Sequence, residues 1–202
     1  MMHRNKRTVT TALFDEFVAK TFQQLTVEDR ALSPLLPFIR ERVVPSKSPI
    51  LRAGDYWNKV YVIQRGIIRL YYLDLEGKES NKAFFGEGDC IWPVAPHDRN
   101  EAVQFTIEAI EETTLLECPF QQLYEHLQQI GKWETFALPF AEMLVEQKMQ
   151  REHDFLLLSA TERFVKFSTA HPEMVDRIPD YHLASFLGVT NVSLSRIKRS
   201  LF

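Results

Sequence analysis

The sequence has little cysteine: two residues in 202, Cys90 and Cys118, in unlike contexts and without close pairing. That argues against a disulfide scaffold and against a cysteine-based zinc or redox motif, and leaves two buried, inert thiols as the expectation. No apolar run exceeds about five residues, far short of the ~20 that a membrane-spanning helix needs. A secretory signal is missing as well. After Met1-Met2-His-Arg-Asn-Lys-Arg comes Thr-Val-Thr-Thr-Ala-Leu-Phe-Asp-Glu, with acids where an unbroken apolar stretch should stand, so a cytoplasmic location is expected. There is no Gly-rich phosphate loop, no Gly-x-Ser-x-Gly elbow and no His-Glu-x-x-His. The chain is therefore read as having no catalytic residues and no metal site.

What is present suits a soluble globular protein. A length of 202 residues with 45% hydrophobic side chains is enough for one large domain or two small ones with a real core. In Thr11–Lys20 the residues Leu13, Phe14, Phe17 and Val18 recur at helical spacing. A second helix is expected from Thr26, with Thr26 as N-cap and Asp29 as capping-box acid, ended by Pro34 and Pro37. From Arg42 to Pro119 the texture changes to short β-rich runs at 42–44, 49–51, 60–63, 67–72, 83–85, 103–110 and 114–117, punctuated by Gly54, Gly66, Gly77 and Gly88. Such spacing predicts an antiparallel barrel or sandwich. A barrel enzyme holding a metal would need a His-x-His pair with a Glu and a further His on its strands. Residues 42–119 contain only His97, in a loop-like Ala-Pro-His-Asp-Arg run, so an enzyme is not expected.

Lys132 to Ser159 reads as one long helix, with Phe140, Ala141, Leu144, Val145, Met149, Phe155, Leu156 and Leu158 distributed over more than one side. The run Gln150-Arg-Glu-His-Asp154 interrupts it with more than a turn lacking any apolar residue. Another helix begins at Ser159-Ala-Thr161-Glu and stops near His171-Pro172.

The last stretch, Asp180 to Arg199, has the spacing of a helix-turn-helix. Leu183, Leu187, Val189, Leu194 and Ile197 fall where two short helices bury a shared core. Small Ala184 allows the helices to cross, Gly188 suits the corner, and Thr190 stands as N-cap of the second helix. Asn191, Val192, Ser195, Arg196 and Arg199 are left facing outward, with Ser193 and Lys198 beside them. Charge concentrates here. Residues 177–202 hold four bases (Arg177, Arg196, Lys198, Arg199) against Asp180, a local net of +3, in a chain whose net is −3. That is the electrostatic footprint of one element that meets nucleic acid.

The ordered pattern Leu51-x-x-Gly-Asp55, Val60-Tyr-Val-Ile-x-x-Gly66, Ile68-x-Leu-Tyr-x-x-Asp74-x-x-Gly77-Lys and Gly88-Asp89, followed by the helix-turn-helix, resembles the Crp/Fnr superfamily of bacterial transcription regulators over about residues 25–202. The resemblance implies an α+β chain: an antiparallel β jelly-roll barrel, a long dimerisation helix and a C-terminal all-α helix-turn-helix domain. It divides the chain into residues 1–131 (N-terminal helices and a cyclic-nucleotide-binding-like barrel), 132–159 (dimerisation helix) and 160–202 (DNA-binding domain), with a hinge near Leu158–Thr161. The implied partners are double-stranded DNA, a second copy of the chain through 132–159, and RNA polymerase. The β-hairpin wing that often follows the recognition helix in the family has no counterpart before Phe202, which removes some expected backbone contacts.

On the recognition helix, Arg196 matches the arginine that Crp-like regulators aim at a base edge. Asn191 and Val192 stand where cyclic-AMP-dependent members often carry Arg and Glu, so the half-site should differ from theirs. Asn191 suits adenine and Val192 a thymine methyl, while Thr190, Ser193 and Arg199 are assigned to phosphates and Ser195 lies on the same face. The effector is another matter. Cyclic-AMP-binding members place a Gly-Glu pair after Gly-Asp and an Arg-Ser or Arg-Thr about ten residues on; here Trp92-Pro93 and Val103-Gln104 occupy those places. A shifted alignment would recruit Gly86-Glu87 and Arg99 instead, which makes Glu87 and Arg99 the weak candidates for an effector site. An iron–sulfur cluster would need cysteines near the N-terminus, and residues 1–40 have none. The six histidines form no haem-like spacing. No cofactor is predicted, and cyclic AMP is not expected as effector. The competing reading is a Crp-like sensor or protein-interaction module whose DNA binding is weak or lost.

Overall fold

The computed structural model describes residues 11–22 and 29–201. Helix α1 (Thr11–Thr21) buries Phe14, Phe17 and Val18, the apolar stripe legible in its spacing. The N-cap expected at Thr26 and the side chain of Asp29 lie outside the described residues. Helix α2 (Asp29–Leu32) is only four residues long, and the chain continues as a 3-10 helix through Ser33–Phe38. Pro34 and Pro37 were expected to end a helix; they lie inside this tighter one. Pro34 sits in its first turn, where the missing N–H leaves no hydrogen bond unmade.

Eight strands follow: β1 (Arg40–Val44), β2 (Pro49–Leu51), β3 (Lys59–Arg65), β4 (Ile68–Leu73), β5 (Glu79–Phe85), β6 (Cys90–Ile91), β7 (Thr106–Ala109) and β8 (Thr113–Pro119). They form two antiparallel four-stranded sheets, ordered β1-β8-β3-β6 and β2-β7-β4-β5, the antiparallel architecture that the texture predicts and the jelly roll that the resemblance implies. Alternation along β3 and β8 explains why they read as continuous apolar runs. Tyr61, Ile63 and Leu115 point into the barrel, whereas Val60, Val62, Leu116 and Cys118 point outward against the helices, so both faces are buried. At the β3–β4 turn a Cβ on Gly66 would lie 2.5 Å from Thr113 Oγ1, and its φ is +102°. Only glycine fits there.

The structure corrects several boundaries. β5 begins at Glu79 rather than Ala83, because its polar first half pairs with Tyr71–Leu73 of β4 and is also contacted by a distant part of the chain. β6 is a two-residue strand that the spacing does not mark, directly after the expected turn at Gly88. The run 103–105 is irregular, and pairing starts at Thr106. His97 lies not in a loop but in a short helix, α3 (Pro96–Asn100), which Pro96 opens at its first turn. Helix α4 (Phe120–Gln129) had no counterpart among the expected elements, although Phe120, Leu123 and Leu127 give it a buried stripe.

Helix α5 (Trp133–Leu157) is 25 residues long, about 38 Å at 1.5 Å per residue. Only Phe136 on it is fully buried, in a cluster of rings with Trp92, Phe120, Trp133 and Phe140. Leu138, Val145, Met149 and Leu156 are exposed. Two extended residues, Leu158 and Ser159, then turn the chain into α6 (Ala160–Ala170), which opens with a full capping box between Ser159 and Glu162. Helices α7 (Pro172–Val175), α8 (Asp180–Leu187) and α9 (Asn191–Leu201) complete the fold. Their core of Phe164, Phe167, Met174, Ile178, Leu183, Ala184, Leu187 and Leu194 is continuous with Ile67 and Ile110 of the barrel.

Candidate nucleic-acid interface

Helices α8 and α9 meet as the sequence predicts. Gly188 adopts φ 71°, ψ 34°, and its N–H donates to Ala184 and Ser185 carbonyls, closing α8 in a left-handed cap. A Cβ there would also come within 2.6 Å of the Phe155 ring, so packing and conformation both select glycine. Thr190 caps α9: its Oγ1 accepts the Ser193 N–H at 3.1 Å and exchanges a hydrogen bond with the Ser193 hydroxyl at 2.9 Å. Leu183, Ala184, Leu187 and Leu194 are buried between the helices.

The face left over is polar and basic. Asn191, Val192, Arg196 and Arg199 are exposed, and Ser193 and Ser195 are half-buried beside them. Arg196 and Arg199 make no ion pair among the described residues. Lys198 differs. Its Nζ lies 2.5 Å from Asp180 Oδ1 and over the Phe164 ring, so it staples α9 to α8 rather than facing solvent with the two arginines.

The opposite side of this helical unit is docked on the barrel through residues that sequence reasoning missed. Arg69, the second residue of β4 and 3% exposed, is held by Glu108 at 2.7 Å, Glu79 at 2.6 Å and Asn81 at 3.2 Å. Its Nη1 also lies 2.9 Å from Nδ1 of His182 on α8. Since a guanidinium only donates, Nδ1 must accept, which fixes His182 as the neutral Nε2–H tautomer. Burial and the Arg69 charge push the His182 imidazole down to about 4. Beside it the Ser185 hydroxyl accepts the Asn81 N–H at 3.0 Å and donates to the Glu79 carbonyl at 3.1 Å, adding to the β4 ladder at the polar start of β5. Arg177 grips Glu87 with both Nη atoms and also reaches Glu111. That pairing holds the Glu87 carboxyl down at about 2. On the far end of α8, Arg151 of α5 donates to the Phe186 carbonyl at 2.9 Å and Arg163 of α6 to the Leu187 carbonyl at 3.2 Å, capping the negative end of the helix. The signals were present but weak: one charge inside the apolar run of β4, and a histidine on the core-facing side of α8.

The effector candidates do not assemble. Glu87 is consumed by Arg177 and by the Gly66 N–H. Arg99 donates to the Pro93 and Val94 carbonyls and lies over the rings of Trp92, Phe120 and Trp133. They point at different neighbours, and the shifted alignment that paired them is not supported. Trp92 is 1% exposed and stacked on Phe120, and Val103 is buried among the barrel's hydrocarbon. Where a nucleotide phosphate would need a guanidinium and free amides, this barrel offers a valine whose N–H donates to the Asp55 carbonyl. Burial raises both Cys90 and Cys118 thiols to about 12, consistent with inert side chains. No described helix is long and apolar enough to cross a membrane.

Comparison with known proteins supplies relatives for this geometry. Residues 41–130 match the family model of the cyclic nucleotide-binding domain. The cyclic AMP receptor protein of Thermus thermophilus is 24% identical over 173 residues, which cover 82% of this chain and 78% of that one. Among solved structures, FixK2 of Bradyrhizobium japonicum superposes with a TM-score of 0.66 at 20% identity, covering 81% of this chain and 84% of its own. The c-di-GMP-responsive global regulator CLP of Xanthomonas campestris gives 0.63 at 15% identity, covering 86% and 91%.

Proposed function

We propose that this chain, a member of the Crp/Fnr superfamily, is a sequence-specific DNA-binding transcription regulator that reads an inverted repeat as a homodimer. The observation that carries the reading is the exposed face of α9. Asn191, Val192, Arg196 and Arg199 are exposed on a capped helix whose other side is locked in a core, while the remaining cation, Lys198, is spent on Asp180. Arg196 on this face has the two parallel N–H donors that suit guanine O6 and N7, a geometry worth ~1–3 kcal/mol against the wrong base. Asn191 suits adenine, Val192 a thymine methyl, and Thr190, Ser193, Ser195 and Arg199 lie where phosphate and rim contacts position the helix.

Dimerisation through residues 132–159 follows from α5. Leu138, Val145, Met149 and Leu156 are exposed along it at alternating seven- and four-residue steps, which leaves an apolar seam for a second copy. Two such units would set their recognition helices one DNA turn apart, ~34 Å. Residues 160–202 then serve as the DNA-binding unit, with the extended pair Leu158–Ser159 as its junction to α5, and RNA polymerase is the downstream partner. Val103 stands buried in the barrel core where a phosphate-binding arginine would be needed, so cyclic AMP is not expected as effector; calorimetry giving saturable micromolar binding would overturn that. Mobility-shift assays on a genomic fragment library test the function as a whole: selective retention of some fragments is expected, and retention no better than random duplex would refute it.

A further inference from the structure

An open cleft of about 1110 Å³ runs between α5, β5 and the α6–α8 unit, outside the barrel interior. Its volume suffices for a small organic molecule. One end is apolar, lined by Phe136, Phe140 and Met143 of α5. The other carries Lys82, Arg151 and Arg163. Among the described residues none of these three cations has a carboxylate partner, whereas Arg69, Lys166, Arg177 and Lys198 are each paired with one. Arg151 spends one N–H on the Phe186 carbonyl and faces the rings of Phe155 and Phe186, which leaves most of its five donors unused. Of the cleft's three acids, Asp154 is taken by Lys166, Asp89 accepts the Gly86 N–H, and Glu146 has no ion pair among the described residues. Burial, then the neighbouring Arg163, pushes the Arg151 guanidinium below its usual value, and burial, then Lys82 and Arg151, does the same for the adjacent Lys148. Five Lys or Arg side chains (Lys20, Lys82, Arg151, Arg163, Lys166) thus line the cleft against three acids (Asp89, Glu146, Asp154), an excess of positive charge.

We infer that this cleft is a binding site for an elongated organic anion, a medium- to long-chain carboxylate, with its head on Lys82 and Arg151 and its tail on Phe140 and Met143. From Phe140 to Arg151 α5 rises ~16 Å, about the length of a twelve-carbon chain. Because the walls belong to α5, β5 and α6–α8 together, such a ligand touches the long helix, the barrel and the helical unit at once. The site itself does not depend on whether α9 reads DNA.

Isothermal titration of the full chain with dodecanoate, below its micelle concentration, tests it. Saturable binding at about one per chain is expected, with no binding of dodecyltrimethylammonium at the same concentration. Lys82→Glu should weaken dodecanoate at least tenfold, and Met143→Trp, which fills the apolar end, should do the same; Lys82→Gln is the milder control should Lys82→Glu lose its cooperative melt. Absence of saturable heat with the wild-type chain, equal binding of the cationic amphiphile, or unchanged affinity in the Lys82 and Met143 variants would each overturn the assignment. Operator binding enters none of these readouts, so a failure here and a failure of the regulator reading are distinguishable.

Discussion

Acid should loosen the grip of the barrel on the helix-turn-helix, and His182 is the group that senses it. In the docked state its Nδ1 faces Arg69 at 2.9 Å, so protonation would oppose two cations across one hydrogen bond. Glu79 favours the protonated imidazole and Lys47 opposes it, but burial and Arg69 dominate and hold the ring near 4. A free histidine titrates near 6.5. The docked, neutral form is therefore fully favoured above about 6.5, and its advantage is lost as pH falls from there toward 4; below 4 both states bind the proton and nothing further changes. Between pH 7 and pH 5 the linkage integral gives a loss of about 2 kcal/mol. Thermal unfolding followed between those pH values should show this slope, and His182→Asn should flatten it, because an amide oxygen can accept from Arg69 without titrating. Carbon-detected titration of the imidazole provides the direct check. A His182 midpoint near 6.5, or an unaltered slope in His182→Asn, would refute the reasoning.

Further outcomes follow from other contacts. Gly188→Ala forces a side chain into φ 71° against the Phe155 ring, and a loss of roughly 1–3 kcal/mol is expected in chemical denaturation; a neutral result would mean that the corner relaxes freely. Replacing Val145 and Met149, both more than half exposed, with glutamate should give monomers in light scattering. Leu144 is half-buried on its own protomer and is the poorer choice, since its loss would mix folding with assembly; persistence of the dimer in the Val145/Met149 variant would move the interface elsewhere. Arg199→Ala should weaken operator and random duplex alike and reduce the salt dependence by about one counterion, and a selective loss on operator alone would make Arg199 a base contact.

The elements that carry a periodic signal were legible in the sequence: α1, the strands of the jelly roll, and the two helices around Gly188. Each is set by a local rule, apolar spacing or a turn residue. What stayed hidden is long-range. β5 looked four residues shorter because Glu79, Ser80, Asn81 and Lys82 have no strand-like texture, and what supports them beyond the β4 ladder is Ser185, more than a hundred residues later. α4 was missed although its buried stripe is plain in hindsight, since Phe120 to Gln129 lies between stronger signals. Arg69 and His182 are separated by 113 residues, and no spacing rule joins them. Glu87 shows the same limit from the other side. As an isolated Gly-Glu pair it resembled part of a phosphate site, and only the fold reveals that Arg177 already holds it.

The regulator reading stands or falls most directly on base discrimination by Arg196. Duplexes selected from a random pool by the wild-type chain should converge on an inverted repeat with half-site centres ~10 base pairs apart. Anisotropy titrations of that sequence should show Arg196→Ala losing ~1–3 kcal/mol of preference at one base pair per half-site while random-duplex binding is nearly unchanged. No enrichment from the pool, or equal weakening of selected and random DNA by Arg196→Ala, would contradict it.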